Sequence, residues 1–160
     1  MDYQININYK FTAGSESEAR AQAQQYIADN LTVSAMNDSL YNPLQVAEQC
    51  RGFRRKMKEY FCVFFLNTQQ QIIGREIISV GTLNTSLVHP RECFRTAIVN
   101  NSCSIIIVHN HPSGSLEPSA EDLNLTKRMV DVGRLIGIEV LDHVIVTAQA
   151  YASLRERNLI

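Results

Sequence analysis

Three side chains with nitrogen and oxygen donors lie close together in the second half of the chain. His109 and His111 follow Ile105–Val108, an apolar run rich in β-branched residues that predicts a buried strand. Side chains two apart on a strand point the same way, so both imidazoles can face one point if the strand extends that far. Asp122 lies eleven residues after His111, and the loop between them can fold back. Two imidazoles and one carboxylate are the ligands of a catalytic zinc site, although they do not specify the metal uniquely.

A purely structural interpretation of the same residues stays open. Ser119 and Asp122 have the Ser-x-x-Asp spacing of a helix cap, and both histidines could be hydrogen-bonded loop residues. Apolar side chains at helical spacing follow Ser119, at Leu125, Met129, Val132 and Ile136. Two histidines at one strand end, with a carboxylate in the first turn of the next helix, favour the metal site.

The spacing His-x-His-x7-Ser-x2-Asp, at His109, His111, Ser119 and Asp122, resembles the motif of JAMM (JAB1/MPN) metalloproteases. The surrounding sequence is similar to the RadC family in particular. The similar segments are His-Asn-His-Pro-Ser-Gly at 109–114, Gly-Thr-Leu-Asn at 81–84, His-Pro-Arg-Glu at 89–92 and Leu-Asp-His at 141–143. The resemblance extends over about residues 43–160.

The predicted element order is β-α, followed by α-β-β-α-β-α-β. It favours an α/β protein with a three-layer α/β/α sandwich around a mixed sheet, which resembles the JAMM and cytidine-deaminase-like arrangement. A looser α+β domain with the same site is the alternative. We divide the chain into a short N-terminal strand–helix extension, residues 1–42, and a RadC-like JAMM (MPN) domain, residues 43–160.

The resemblance implies a zinc-dependent hydrolase that cleaves a peptide or isopeptide bond in a protein or peptide substrate. His109, His111 and Asp122 would hold Zn²⁺, and Ser119 would donate a hydrogen bond to the developing oxyanion, which is compatible with its capping the helix. JAMM enzymes use a glutamate on an upstream strand as general base, and Glu76 occupies that place in this sequence. A solvent-facing glutamate on the strand is the alternative interpretation of Glu76.

A second hypothesis follows from the RadC name, which implies a DNA-repair or recombination-associated protein. Its metal site would act on nucleic acid or stabilise the fold. The sequence offers one supporting feature, a basic cluster of Arg51, Arg54, Arg55, Lys56 and Lys58, which could contact phosphates. A solvated helix face with cations near its end is the competing interpretation. Residues 1–42 do not resemble the helix-hairpin-helix module of longer RadC proteins, and this counts against direct DNA binding.

The amino-acid composition excludes several broad classes of protein. The 160 residues are 45% apolar and 19% charged, with a net charge of −1, so no overall field recruits nucleic acid or membrane. No apolar run reaches the roughly 18 residues of a membrane span, and no signal peptide is recognisable. We therefore expect a cytoplasmic protein without a membrane partner. The four cysteines form no Cys-x-x-Cys pair and are expected to be buried free thiols: Cys50, Cys62, Cys93 and Cys103.

The remaining sequence patterns predict helices and strands. In the first 42 residues we expect a strand at 3–9 and a helix from Ser15 to about residue 31. Beyond them we expect a helix from 43 to about 58, strands at 60–66 and 71–80 joined by a hairpin loop, a helix at 90–100, a strand at 104–108, a helix from 119 to about 135, a strand at 138–146 and a short helix or turn at 151–157. His89 is predicted to be structural or a loop contact, and Arg91 to hold the loop, with a substrate carboxylate as the alternative. For Asp142 and His143 a hydrogen-bonded structural role is favoured over a position near the metal.

Overall fold

The computed structural model describes residues 14–18, 20–22, 42–81 and 88–160. The chain forms two compact units, Met1–Thr32 and Val33–Ile160. In the first unit a helix begins after Ser15, whose Oγ accepts the backbone N–H of Glu18 at 3.3 Å. The predicted start of this helix is therefore confirmed. The strand predicted at 3–9 and the end of the helix lie outside the described residues.

The described part of the second unit is a mixed sheet of five strands in the order β2-β1-β3-β4-β5. The strands are β1 Glu59–Leu66, β2 Ile72–Gly81, β3 Ser104–Asn110, β4 Glu139–Val146 and β5 Tyr151–Ser153. The helices are α1 Pro43–Gln49, α2 Pro90–Val99 and α3 Ala120–Ile136. Strands β3 and β4 are parallel, and the other neighbouring pairs are antiparallel. No helix in these described ranges is both long enough and apolar enough to cross a bilayer.

Helices cover both faces of the sheet, which explains why β1 and β3 are apolar along nearly their whole length. The α2 and α3 helices pack on one face, where the core contains Phe61, Val63, Phe65, Ile105, Ile107, Cys93, Phe94, Ala97, Leu125, Met129 and Val140. The α1 helix and the turn after it pack on the other face, where the core contains Val46, Ala47, Cys50, Phe53, Cys62, Phe64, Ile106, Val108, Leu141 and Val144. The predicted three-layer α/β/α sandwich is confirmed.

Three local predictions need correction. The first helix ends at Gln49 instead of near residue 58, and turns occupy 50–55, where Gly52 is a poor helix former. The segment predicted as a terminal helix or turn begins with β5, which pairs Tyr151–Ser153 with the end of β4 before the chain turns. Cys103 is exposed, whereas the other three cysteines are buried as expected.

Strand β4 carries one extra residue relative to β3. Ile105 pairs with Val140, but Ile106 pairs with Asp142, so Leu141 forms a β-bulge. A bulge shifts the alternation of side chains by one residue. His143 therefore faces the same side of the sheet as Val140, towards α3, instead of the opposite side.

Candidate metal centre

The predicted ligand residues converge at the carboxyl end of β3. This strand runs two residues further than predicted, to Asn110, so the condition for His109 and His111 to face one point is met. His109 Nε2 lies 2.9 Å from His111 Nε2 and 3.4 Å from Asp122 Oδ1, and His111 Nε2 lies 3.5 Å from Asp122 Oδ2. One ligand atom from each residue lies within 4.8 Å of the others. This buried group could bind a metal ion.

Ser119 holds the carboxylate of Asp122 in place while it caps α3. Its Oγ accepts the backbone N–H of Asp122 at 3.1 Å and donates to Asp122 Oδ2 at 2.7 Å. Its backbone N–H donates to the same carboxylate oxygen at 2.8 Å, which completes a capping box. The helix-cap interpretation is confirmed. It is compatible with the metal-site geometry because the hydrogen bonds that cap α3 also orient the Asp122 carboxylate.

The charges within the group favour binding of a cation. Burial alone would raise the pKa of Asp122, but the neighbouring imidazoles of His109 and His111 and the hydroxyl of Ser119 hold it well below its usual range. The neighbouring carboxylate of Asp122 raises the pKa of His111 above its ordinary value, although burial opposes this. Asp122 is therefore ionised at neutral pH.

The hydrogen bond at the far side of the His111 ring shows where its lone pair points. His111 Nδ1 lies 2.8 Å from the backbone carbonyl oxygen of Ser115. A carbonyl only accepts hydrogen bonds, so Nδ1 carries the proton, and neutral His111 has its lone pair on Nε2. That lone pair faces His109 and Asp122, and this donor set suits zinc.

Sequence reasoning missed the environment of His109, which involves a third imidazole. His109 Nδ1 lies 2.7 Å from His143 Nε2, and His143 Nδ1 lies 2.6 Å from Thr126 Oγ. All three side chains are buried. Burial lowers the pKa of His143 well below its ordinary value, and the charge of His109 acts in the same direction. The Leu-Asp-His segment was visible in the sequence, but its approach to His109 depends on the bulge at Leu141.

Glu76 lies on the same face of the sheet as His109, two strands away. Glu76 lies on β2 opposite Val63 of β1, and Val63 lies opposite Ile107 of β3. Ile107 is two residues before His109 on the same strand. The strand spacing then puts the Cα atoms of Glu76 and His109 about 12 Å apart. Burial raises the pKa of the Cys62 and Cys93 thiols to about 12, and the charge of Glu76 contributes to both shifts. The assignment of Glu76 as general base stays a prediction.

Another glutamate, which we did not single out from the sequence, lies nearer to the ligands. Phe61 pairs with His109 at the end of the antiparallel ladder of β1 and β3, and Glu59 lies two residues before Phe61, on the same face of β1. Glu59 is half-buried, and its charge contributes to the raised pKa of His111, after the hydrogen bond with Asp122. In the sequence, Glu59 and Phe61 are two residues apart and so share a face of the strand. This spacing becomes informative only once the register of β1 and β3 is known.

Asn110, between the two histidines, connects the site to the segment that precedes β1. Its side-chain amide donates to the carbonyl oxygens of Lys56 at 3.3 Å and Lys58 at 3.0 Å, and its Oδ1 accepts the N–H of Tyr60 at 2.7 Å. Asn110 is fully buried, whereas Lys56 and Lys58 are exposed. The backbone of part of the predicted basic cluster is therefore held at the end of β3, the strand that carries His109.

Two of the other predicted structural roles are as expected. His89 caps α2, because its Nδ1 accepts the backbone N–H of Arg91 at 3.2 Å. The buried carboxylate of Asp142 accepts the hydroxyl of Ser153 at 2.5 Å and the backbone N–H of Arg155 at 3.0 Å. Asp142 thus joins β4 to the C-terminal turn, while His143 beside it reaches the metal group.

A three-layer α/β fold with a His-His-Asp group at the end of its central strand is that of a JAB (MPN)-type domain. Residues 40–159 match the family model described as RadC-like JAB domain, and the chain therefore belongs to the RadC family. The predicted resemblance is confirmed. A possible metal site within this domain fits a metal-dependent hydrolase of the JAMM type.

Relatives support the same family. The chain is 54% identical over 102 residues to a UPF0758 protein of Alkaliphilus metalliredigens, covering 64% of this chain and 44% of the relative. It is 52% identical over 103 residues to one of Desulforamulus reducens, covering 64% and 45%, and 45% identical over 107 residues to one of Methanosarcina mazei, covering 67% and 47%. The chain spans less than half the length of these relatives.

Proposed function

We propose that this protein is a zinc-dependent hydrolase of peptide or isopeptide bonds, with His109, His111 and Asp122 as the metal ligands. The observation that carries the proposal is the composition of the group: imidazole nitrogens and an ionised carboxylate converge within 4.8 Å. When bound, zinc lowers the pKa of a coordinated water towards ~7 and polarises a carbonyl. Three protein ligands leave the fourth tetrahedral position for that chemistry.

The surrounding residues supply the remaining functions. Glu59, two residues before the Phe61–His109 pair at the start of β1, is proposed to take the proton of the attacking water and return it to the leaving amine. Glu76 is the other candidate for this role, predicted from the sequence, but its position two strands from His109 favours Glu59. Ser119 is proposed to donate to the developing oxyanion, for which its hydroxyl must turn away from Asp122 Oδ2.

The first experiment measures zinc content and chelator-sensitive hydrolysis on one preparation. We expect about one zinc per chain and cleavage of a quenched-fluorescent peptide library or of peptides joined through a lysine side-chain amide. Removal of the metal by a chelator should abolish cleavage, and added Zn²⁺ should restore it and raise the melting temperature. A chain without zinc, or a cleavage rate unaffected by the chelator, would contradict the proposal.

A second candidate function, contact with nucleic acid, is favoured by one observation. Asn110 anchors the backbone of Lys56 and Lys58 at the end of β3, the strand that carries His109, and Met57 between them is 88% exposed. Exposed cations at this end of the sheet could bind the phosphates of a nucleic acid. The protein as a whole carries a net charge of −1, so such binding would depend on this segment.

The double change Lys56→Glu and Lys58→Glu tests this candidate. If both cations contact phosphates, the slope of log affinity for duplex DNA against log salt should become shallower by about two. The control is Lys127→Glu with Arg128→Glu, an equal change of charge at exposed positions of α3. We expect neither pair of changes to alter zinc content or peptide cleavage. A wild-type slope near zero would eliminate the nucleic-acid function.

A further inference from the structure

We propose that Thr126 and His143 form a hydrogen-bond relay that fixes the tautomer of His109 and so positions it as a metal ligand. The inference rests on the proposed function, because it assigns to two residues outside the ligand set the task of preparing one ligand. Thr126 lies on α3, His143 on β4 and His109 on β3, so the relay connects three elements of the domain.

The direction of the relay is determined at its Thr126 end. The hydroxyl of Thr126 lies 2.6 Å from the backbone carbonyl oxygen of Asp122, which can only accept. Thr126 must therefore donate its single proton there. Facing His143 Nδ1 at 2.6 Å, the same oxygen acts as an acceptor, and His143 carries its proton on Nδ1.

The next link passes this direction to the ligand. With the proton on Nδ1, neutral His143 has a lone pair on Nε2, which lies 2.7 Å from His109 Nδ1. His109 therefore donates from Nδ1 and keeps the lone pair of Nε2 for the metal group. The opposite direction would require a doubly protonated His143 in a fully buried position beside Phe61, where an unpaired charge is costly.

Two local features assemble the relay. The bulge at Leu141 turns His143 towards α3, and Thr126 lies one helical turn after Asp122, on the same face of α3. Asp122 thus contributes its carboxylate to the ligand set and its backbone carbonyl to the relay. The two histidines differ in what fixes their tautomers. The tautomer of His111 depends on the backbone carbonyl of Ser115, whereas that of His109 depends on side chains that can be substituted.

Thr126→Val tests the relay because valine has nearly the same shape but no hydroxyl. Without its acceptor, His143 can move its proton to Nε2 and compete with the correct tautomer of His109. We expect zinc to bind about 10- to 100-fold more weakly, the usual effect of losing a partner that orients a ligand, as measured by competition with a chromophoric chelator. The absorption spectrum of the Co²⁺-substituted protein should also change. Thr126→Ser restores the hydroxyl and should restore both properties.

The matched control is Thr96→Val on α2. Thr96 is also buried in a helix, and its hydroxyl also donates to the carbonyl oxygen four residues earlier, that of Glu92 at 3.3 Å. It has no connection to the metal group, so the variant should bind zinc as the wild type does. Thr126→Ala, which removes the same hydroxyl and leaves a smaller side chain, provides the comparison if Thr126→Val does not fold.

The outcomes separate this inference from the proposed function. Equal zinc affinity in Thr126→Val and Thr96→Val would overturn the relay while leaving the zinc site intact. Failure of Thr126→Ser to recover the wild-type affinity and Co²⁺ spectrum would also overturn it, because the hydroxyl would then not be the relevant group. A wild-type protein that binds no zinc would remove both the relay and the proposed function.

Discussion

Replacing His109 or His111 with alanine is expected to remove zinc from the protein and reduce peptide hydrolysis to background. In the proposed zinc site each histidine supplies one of three protein ligands, and the remaining imidazole and carboxylate cannot complete a tetrahedral site. The loss of rate should exceed the ~10²–10⁴-fold that removal of a general acid–base group causes, because the metal-dependent chemistry disappears as a whole. Elemental analysis and hydrolysis assays on the same preparations measure both effects.

His89→Ala is the matched control for these variants. His89 lies outside the metal group and caps α2, so its loss should cost at most about 1 kcal/mol of stability and leave zinc content unchanged. Thermal melting of all three variants shows whether the fold survives, which matters most for the fully buried His109. Full zinc occupancy in His109→Ala or His111→Ala would show that the ligand assignment is wrong.

Glu59→Gln is expected to retain zinc and the fold while turnover falls by roughly 10²–10⁴-fold. Glutamine is nearly isosteric and can still hold a water molecule, but it cannot accept a proton from it. The lost interaction acts mainly in the transition state, so kcat should fall and KM should change much less. Steady-state kinetics with a cleavable peptide measures the separate effects on kcat and KM, and zinc analysis of the same preparation measures the metal content.

Glu76→Gln provides the comparison, since it makes the same chemical change on the neighbouring strand. From the position of Glu76 opposite Val63 we expect a rate close to that of the wild type. If turnover falls in Glu76→Gln and not in Glu59→Gln, the assignment made from the sequence is right and the one made from the structure is wrong. Loss of zinc from Glu59→Gln would make Glu59 a support for the ligands instead of a base.

Much of the architecture was predictable because its signals are local. The apolar run before His109 and the Ser-x-x-Asp spacing at Ser119 define a strand and a helix start independently of the rest of the chain. Gly137, in the left-handed conformation with φ 76°, is the C-cap of α3, close to the predicted end of this helix at about residue 135. The ligand set followed from the same short segment, since its members lie within fourteen positions of each other.

What could not be predicted depends on how the strands align. Strict alternation along β4 would turn His143 away from the side that Val140 faces, and only the bulge at Leu141 reverses this. The distinction between Glu59 and Glu76 likewise depends on the register of β1 against β3 and β2. Register is set by contacts distant in sequence, so the composition of one strand does not reveal it.

The side chain of Asn110 has a mechanical consequence for the site. Its three hydrogen bonds hold the backbone at Lys56, Lys58 and Tyr60, on both sides of Glu59. The side chains of residues 109–111 thus lie on two faces of the sheet. The histidines contribute to the metal group on one face, and Asn110, on the other face, holds the start of the strand that carries Glu59. The Asn110 amide and the β1–β3 ladder together hold the start of β1 against the end of β3. Loss of the amide would therefore weaken the alignment proposed for proton transfer while every group proposed to bind the metal remains in place.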